Sequence, residues 1–263
     1  MFSSILTKTI YEKRWTILFW SLGVIGMALL MMGFYHSFQD FDQVLKNLPK
    51  SFQSFIGNIA SLKTVPGYVS QQVFAFRIPL LTLIMIIILF SGLIGGDENE
   101  GTLQTLLAQP ASRLRVFVEK LLAGLVISFI ICSAAMIGVL LGLVLIHERM
   151  SFLRLFQAIV GEWLITIVFG SLAFAIGAIT GKRGLAGSLT GLLAFGTYLL
   201  TSFVSSVPSI ATLEKISPFH YYNNPAIALF GLDGRNLMVL MGIIVILLGS
   251  SALIFNRRDI YQK

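Results

Sequence analysis

Cysteine is almost missing from this chain: Cys132 stands alone among 263 residues. No disulfide and no thiolate metal site can therefore form within one copy. Charge is scarce as well. Only 12% of the residues are Asp, Glu, Lys or Arg, half the roughly 25% of a soluble domain, which points to lipid as the solvent. No segment alternates apolar and polar residues over about ten positions, so a membrane β-barrel is excluded. The three histidines, His36, His147 and His220, lie far apart without a His-Glu-x-x-His spacing, and no Gly-x-Ser-x-Gly elbow occurs, which removes two common hydrolytic sites. Gly177–Lys182 fails as a phosphate loop. It has three residues between its glycines instead of four, and Arg183 stands where Ser or Thr belongs. Gly95-Gly96-Asp97 is one residue short of a Gly-x-Gly-Asp protease motif, and no partner Asp lies in another apolar run.

What is abundant is hydrophobic sequence, 56% of the chain with a mean hydropathy of +0.86. Six apolar runs fit membrane spans, at about 15–35, 75–96, 121–146, 160–180, 185–206 and 236–255, each near the 20 residues that cross a bilayer. Backbone buried in lipid must bond internally, so the fold class is an all-α integral membrane protein with six transmembrane helices. The net charge of +7 invites a nucleic-acid reading. The basic residues flank the spans instead of forming a stripe with aromatics, so no nucleic-acid partner is expected. With both termini cytoplasmic, 11 of the 19 basic residues fall inside, a modest positive-inside bias. Met1–Tyr11 is not a cleavable signal peptide, because its charges follow its apolar residues.

Between the spans the pattern changes. Phe2, Ile5, Leu6, Thr9 and Ile10 share one helical face, which suggests an interfacial amphipathic helix over 1–14; an irregular membrane-proximal start is the plainer alternative. In segment 36–72, apolar residues from Phe41 to Ile56 recur at helical spacing around Pro49, consistent with two short helices on the outer leaflet. The segment 207–235 holds Pro208, Pro218, Pro225 and the string Ser217–Asn224. It is too polar to span, and its Tyr and His side chains suit an interface. Gly177, Gly181, Gly184, Gly187 and Gly191 crowd the turn between spans four and five, where small residues favour close helix approach.

The most structured polar segment is Asp97–Lys120. Thr102 reads as an N-cap, with Asp97, Glu98 and Glu100 before it suited to a helix dipole. Leu103, Leu106 and Leu107 then form an apolar stripe, and Pro110 and Ser112 end the helix. A solvated hairpin would account for the bare pattern equally well.

The string Glu100-Gly101-Thr102-Leu103-Gln104-Thr105-Leu106-Leu107-Ala108-Gln109-Pro110-Ala111-Ser112-Arg113, preceded by Glu98, resembles the first cytoplasmic loop of ABC-2 type exporter permeases. Phe255-Asn256-Arg257-Arg258-Asp259 is similar to the Phe-x-Arg-Arg-Asp ending of that family. Gln104 stands where the family usually has an acid. The resemblance covers the six runs in order, and it implies a single permease domain over 1–263. It also implies an N-terminal elbow helix, a cytoplasmic coupling loop at 97–113, and extracellular segments at 36–72 and 207–235. The latter would hold re-entrant helices between spans five and six. Glu98, Glu100, Gly101, Thr102, Leu103, Leu106, Leu107, Pro110 and Arg113 would then couple the chain to a separate ABC ATPase subunit. That partner would bind ATP and Mg, whereas this chain would bind no cofactor. Further partners implied are the bilayer and a second permease copy or a related permease, in a bacterial plasma membrane. The function implied is export of an apolar or amphiphilic substrate such as a drug, antimicrobial peptide or lipid-like molecule. A non-transporting membrane enzyme or scaffold is the alternative.

Glu162 is the one carboxylate well inside apolar sequence. If 151–160 forms an interfacial helix, Glu162 sits at the headgroup boundary beside Trp163, and that is the expectation. If it lies deeper, it becomes a candidate pathway contact for a cationic substrate or a partner for Arg154.

Overall fold

The computed structural model describes residues 4–40, 61–107, 112–203, 213–222, 227 and 229–258. The expected helices around Pro49, from Phe41 to Ile56, lie outside them. Among the described residues the structure is helical and contains no strand. Six helices among the described residues are long and apolar enough to cross a membrane: Arg14–Ser37, Val65–Leu93, Arg113–Leu145, Phe152–Thr180, Arg183–Ser202 and Gly234–Arg257. They are called spans one to six. Six crossings return the chain to its starting side, so residues 4–12 and 258 lie at the same end of the bundle.

Spans two, three and four begin about ten residues earlier than the apolar runs suggest. An uncharged run marks the stretch lipid can hold, but intrahelical hydrogen bonds continue wherever no residue interrupts them. Span three, with 33 residues, is about 50 Å long at 1.5 Å per residue. Its first turns carry Arg113, Arg115, Glu119 and Lys120 beyond the apolar section. Span two has a composite start. The Thr64 hydroxyl accepts from the Gly67 N–H at 3.3 Å, Pro66 sits in the first turn, and Val69–Phe74 is wound as a π-helix. The backbone breaks at Phe76, where φ is −140°. Pro79, which has no N–H for the Ala75 carbonyl, fits in the first turn of the regular helix Arg77–Leu93.

Spans two and four carry the buried centre, while most of spans one, five and six faces outward. Close approach is made by small residues. A Cβ on Gly138 of span three would lie 2.7 Å from the Ala28 Cβ and 2.8 Å from the Ile25 oxygen, and one on Gly142 would overlap Met32. This small-x-x-x-small pair lets spans one and three pack backbone to backbone, the mode available where lipid offers no hydrophobic drive. Of the glycines near the span four–five turn, Gly177 and Gly187 touch span two, whereas Gly184 and Gly191 meet nothing within 4 Å.

At the end opposite the termini, the short helix Pro218–Tyr222 is wedged among spans four, five and six. Tyr222 is buried and its hydroxyl donates to the Phe74 oxygen at 3.0 Å. The Ser217 hydroxyl donates to the Thr197 oxygen at 3.0 Å and accepts from Thr201 at 2.7 Å. This differs from the interfacial placement expected of Tyr222. A hydroxyl with a backbone partner can leave water, and here the π-wound turn supplies that partner.

Candidate functional site

The polar segment after span two folds as two short helices at the terminal end, Gly95–Asn99 and Thr102–Leu107. Gly101 joins them at φ 72°, a left-handed conformation that glycine adopts without Cβ strain. The Gly101 N–H donates to the Glu98 oxygen at 3.1 Å, closing the first helix. Thr102 is the first residue of the second helix, not its cap. Its hydroxyl turns back and donates to the Asp97 oxygen at 3.1 Å.

Asp97 and Glu98 do not serve as dipole partners for that second helix. Asp97 and Glu98 belong to the preceding turn, which aims them across the bundle. Lys120 of span three, only 5% exposed, places its Nζ 2.6 Å from Asp97 Oδ2. Arg258, beyond the end of span six, pairs through Nη2 with Glu98 Oε1. Its Nη1 also donates to the Ala178 oxygen at 2.8 Å in the last turn of span four, and its own carbonyl accepts from Arg113 Nη1 at 2.5 Å. Asn99, with its amide nitrogen facing carbonyls, donates to the Gly181 oxygen at 2.7 Å. One short loop is thus tied to the ends of spans three, four and six. Half-buried charges of this kind persist because each is paired, and removing one partner strands the other.

Leu103 and Leu106 are buried, at 0% and 9% exposure. They seat the loop on its own bundle, so of the coupling residues that the resemblance implies, Leu103 and Leu106 turn inward. Amphipathic spacing marks a face that seeks apolar contact, and here that contact is near at hand. Beneath the loop lies a cluster of rings: Phe117 packs 4.9 Å from Phe174 and 5.7 Å from Phe255, with Phe90 6.2 Å from Phe174. Among the described residues of the loop, Asn99, Glu100, Gly101 and Thr102 are exposed. Leu107 belongs to the helix, but its side chain and Pro110 lie outside the description. Ser112 caps span three instead, accepting from the Arg115 N–H at 3.2 Å.

The N-terminal helix Ile5–Glu12 lies against the start of span three. Ser4 caps it from within, accepting from the Thr7 N–H at 3.2 Å. Glu119 caps it from outside: its Oε2 accepts from the N–H of Ile5 at 2.6 Å and of Leu6 at 3.2 Å. Arg115 holds the other carboxylate oxygen at 2.7 Å.

The separate interfacial helix expected over 151–160 does not form. Phe152–Thr180 is one continuous helix, with Glu162 in its third turn and no exposed surface. Its Oε1 accepts from the Thr82 hydroxyl of span two at 2.9 Å, and among the described residues its Oε2 has no hydrogen-bond partner. Arg154 is not its partner, but instead reaches Gln157 at 3.4 Å. A neighbouring bond, from Trp163 Nε1 to Ser128 Oγ at 3.0 Å, joins spans three and four.

The loop residues Glu98, Gly101, Thr102, Leu103, Leu106 and Arg113 are therefore brought together, Glu100 faces outward, and Glu162 stands apart in the bundle interior. Lys120, Glu119 and Thr82 carry equally specific contacts that local spacing did not single out. Only the charges of Lys120 and Glu119 beside an acid-rich loop hinted at them. A profile of the ABC-2 family transporter proteins matches residues 4–260. No curated protein matches the chain.

Proposed function

The chain belongs to the ABC-2 transporter family, and as a multi-pass membrane permease component we propose that it works as half of an export pathway driven by separate ATPase subunits. The observation that carries the proposal is the loop Gly95–Leu107. It presents Asn99, Glu100, Gly101 and Thr102 at the end of the bundle while Asp97, Glu98, Leu103 and Leu106 are tied inward. Such a loop has a fixed shape before any partner arrives, which lowers the ordering cost of docking. The segment 97–113 is the coupling surface under this proposal, with both termini and Lys182 on the cytoplasmic side.

A second permease copy, or a related chain, would complete the path. The outward faces of spans one and five offer large apolar surfaces for lipid or such a copy, including Phe19, Leu22, Leu192 and Phe195. The cargo proposed is apolar or amphiphilic, in keeping with walls poor in charge. Glu162 would meet a cationic group of the cargo only when spans two and four part, since both sides of its carboxylate are enclosed. ATP and Mg would be held by the partner, because this chain offers no phosphate loop.

The test is co-purification with a tagged ATPase subunit from membranes. Glu100→Arg, exposed and free of the inward contacts of the loop, and Thr102→Arg, exposed and giving up only its hydroxyl bond to the Asp97 oxygen, should release the ATPase while the permease stays folded. Full retention by the double variant would place the docking surface elsewhere.

A further inference from the structure

We propose that Arg258 is a positioning residue that makes the loop, the span four–five turn and the end of span six move as one body. The proposal rests on the loop being the ATPase contact and extends it. Covalently the loop belongs only to spans two and three, so a push on it would reach those two spans alone. Arg258 changes that connection. Its planar guanidinium presents donors in a fixed fork. One nitrogen takes Glu98 of the loop, and the other takes the Ala178 oxygen at 2.8 Å. Ala178 O is among the carbonyls left open at the end of span four, where a cation is also favoured by the helix dipole. The Arg258 carbonyl is held in turn by Arg113 at 2.5 Å, at the start of span three.

Two further features fit a permanent clasp. Both charged side chains are only 18% exposed, so water competes weakly for either. Gly181 has φ 68°, and a Cβ there would run into the Glu98 carboxylate and the Arg258 guanidinium. The turn therefore has room for the ion pair only because the residue is glycine. Asn99 adds a bond to the Gly181 oxygen at 2.7 Å, closing the loop onto the same turn.

The experiment uses the permease with its co-purified ATPase in lipid nanodiscs. Spin labels replace Leu145 and Met238, exposed at the far ends of spans three and six, in a Cys132→Ser background. Distances are read without nucleotide and after ATP–vanadate trapping. The parent complex should show a trapped-state shift. Arg258→Gln should reduce that shift at least twofold with the ATPase still bound and hydrolysing ATP, and Glu98→Gln should reduce it to the same extent. The double variant should lose no more than either single one, and Arg258→Lys should restore part of the shift. A full shift in both single variants would overturn the clasp while leaving the coupling loop intact. If either variant failed to assemble, a short bifunctional thiol reagent joining cysteines at 98 and 258 decides instead. A trapped-state shift that survives the cross-link supports a clasp that stays closed, and one that disappears overturns it. Failure of the parent complex to retain any ATPase would remove the coupling reading and this inference with it.

Discussion

The Glu119 carboxylate accepts the Ile5 N–H at 2.6 Å, so a helix at the start of the chain begins on a side chain 114 residues away. The first N–H groups of a helix have no partners within it, and a carboxylate there also meets the positive end of the dipole. Glu119→Ala should therefore loosen Ile5–Glu12 by about 1 kcal/mol, the usual cost of a lost cap. Trypsin cleavage after Lys8 and Lys13 in membranes should speed up several-fold. An unchanged rate would mean that the packing on span three alone holds the helix.

Burial of Glu162 against Thr82 separates size from charge. Glu162→Gln keeps the volume and a group able to bond Thr82, so thermal unfolding in detergent should move little. Glu162→Ala opens a cavity between spans two and four and should cost about 2 to 4 kcal/mol. A cysteine at 162, in a Cys132→Ser background, should resist an impermeant maleimide from both sides. Rapid labelling in the nucleotide-free protein would show an open path that the enclosed carboxylate argues against.

Gly181→Ala is expected to damage the clasp without touching a charged residue. A left-handed alanine costs about 1 to 2 kcal/mol, and the added methyl would displace Glu98 and Arg258. The variant should resemble Arg258→Gln in its thermal midpoint. A midpoint equal to that of the parent protein would count against the geometry of the turn.

The direction of the loop helix is tested by two neighbours. Leu103→Asp places a carboxylate where there is no exposed surface and should cost about 3 kcal/mol or more. Thr102→Asp, at an exposed position, should stay within about 0.5 kcal/mol. Equal effects in thermal unfolding would mean that the stripe faces outward after all.

Orientation is open to single-cysteine labelling on intact cells. With Cys132 replaced, cysteines at Lys63 and Lys215 should react with an impermeant maleimide, and one at Lys182 should not. The reverse pattern would invert the molecule.

By itself the sequence determined the solvent, the helix count and the place of the loop. Long uncharged runs can satisfy their backbone in lipid only as helices, and a dense polar segment between two such runs has to be a turn outside it. Periodicity also marked Leu103 and Leu106 as one face. It could not say which body that face would meet, because spacing along one helix holds no information about its neighbours. Only the tertiary structure turned it onto the chain itself, beside the first short helix and the start of span three. The same limit hid the partners of the charges. Glu98 and Arg258 are 160 positions apart, and Thr82 and Glu162 are 80 apart. Such pairs are set by how six helices pack, and packing in lipid depends on small residues and shape more than on any local pattern.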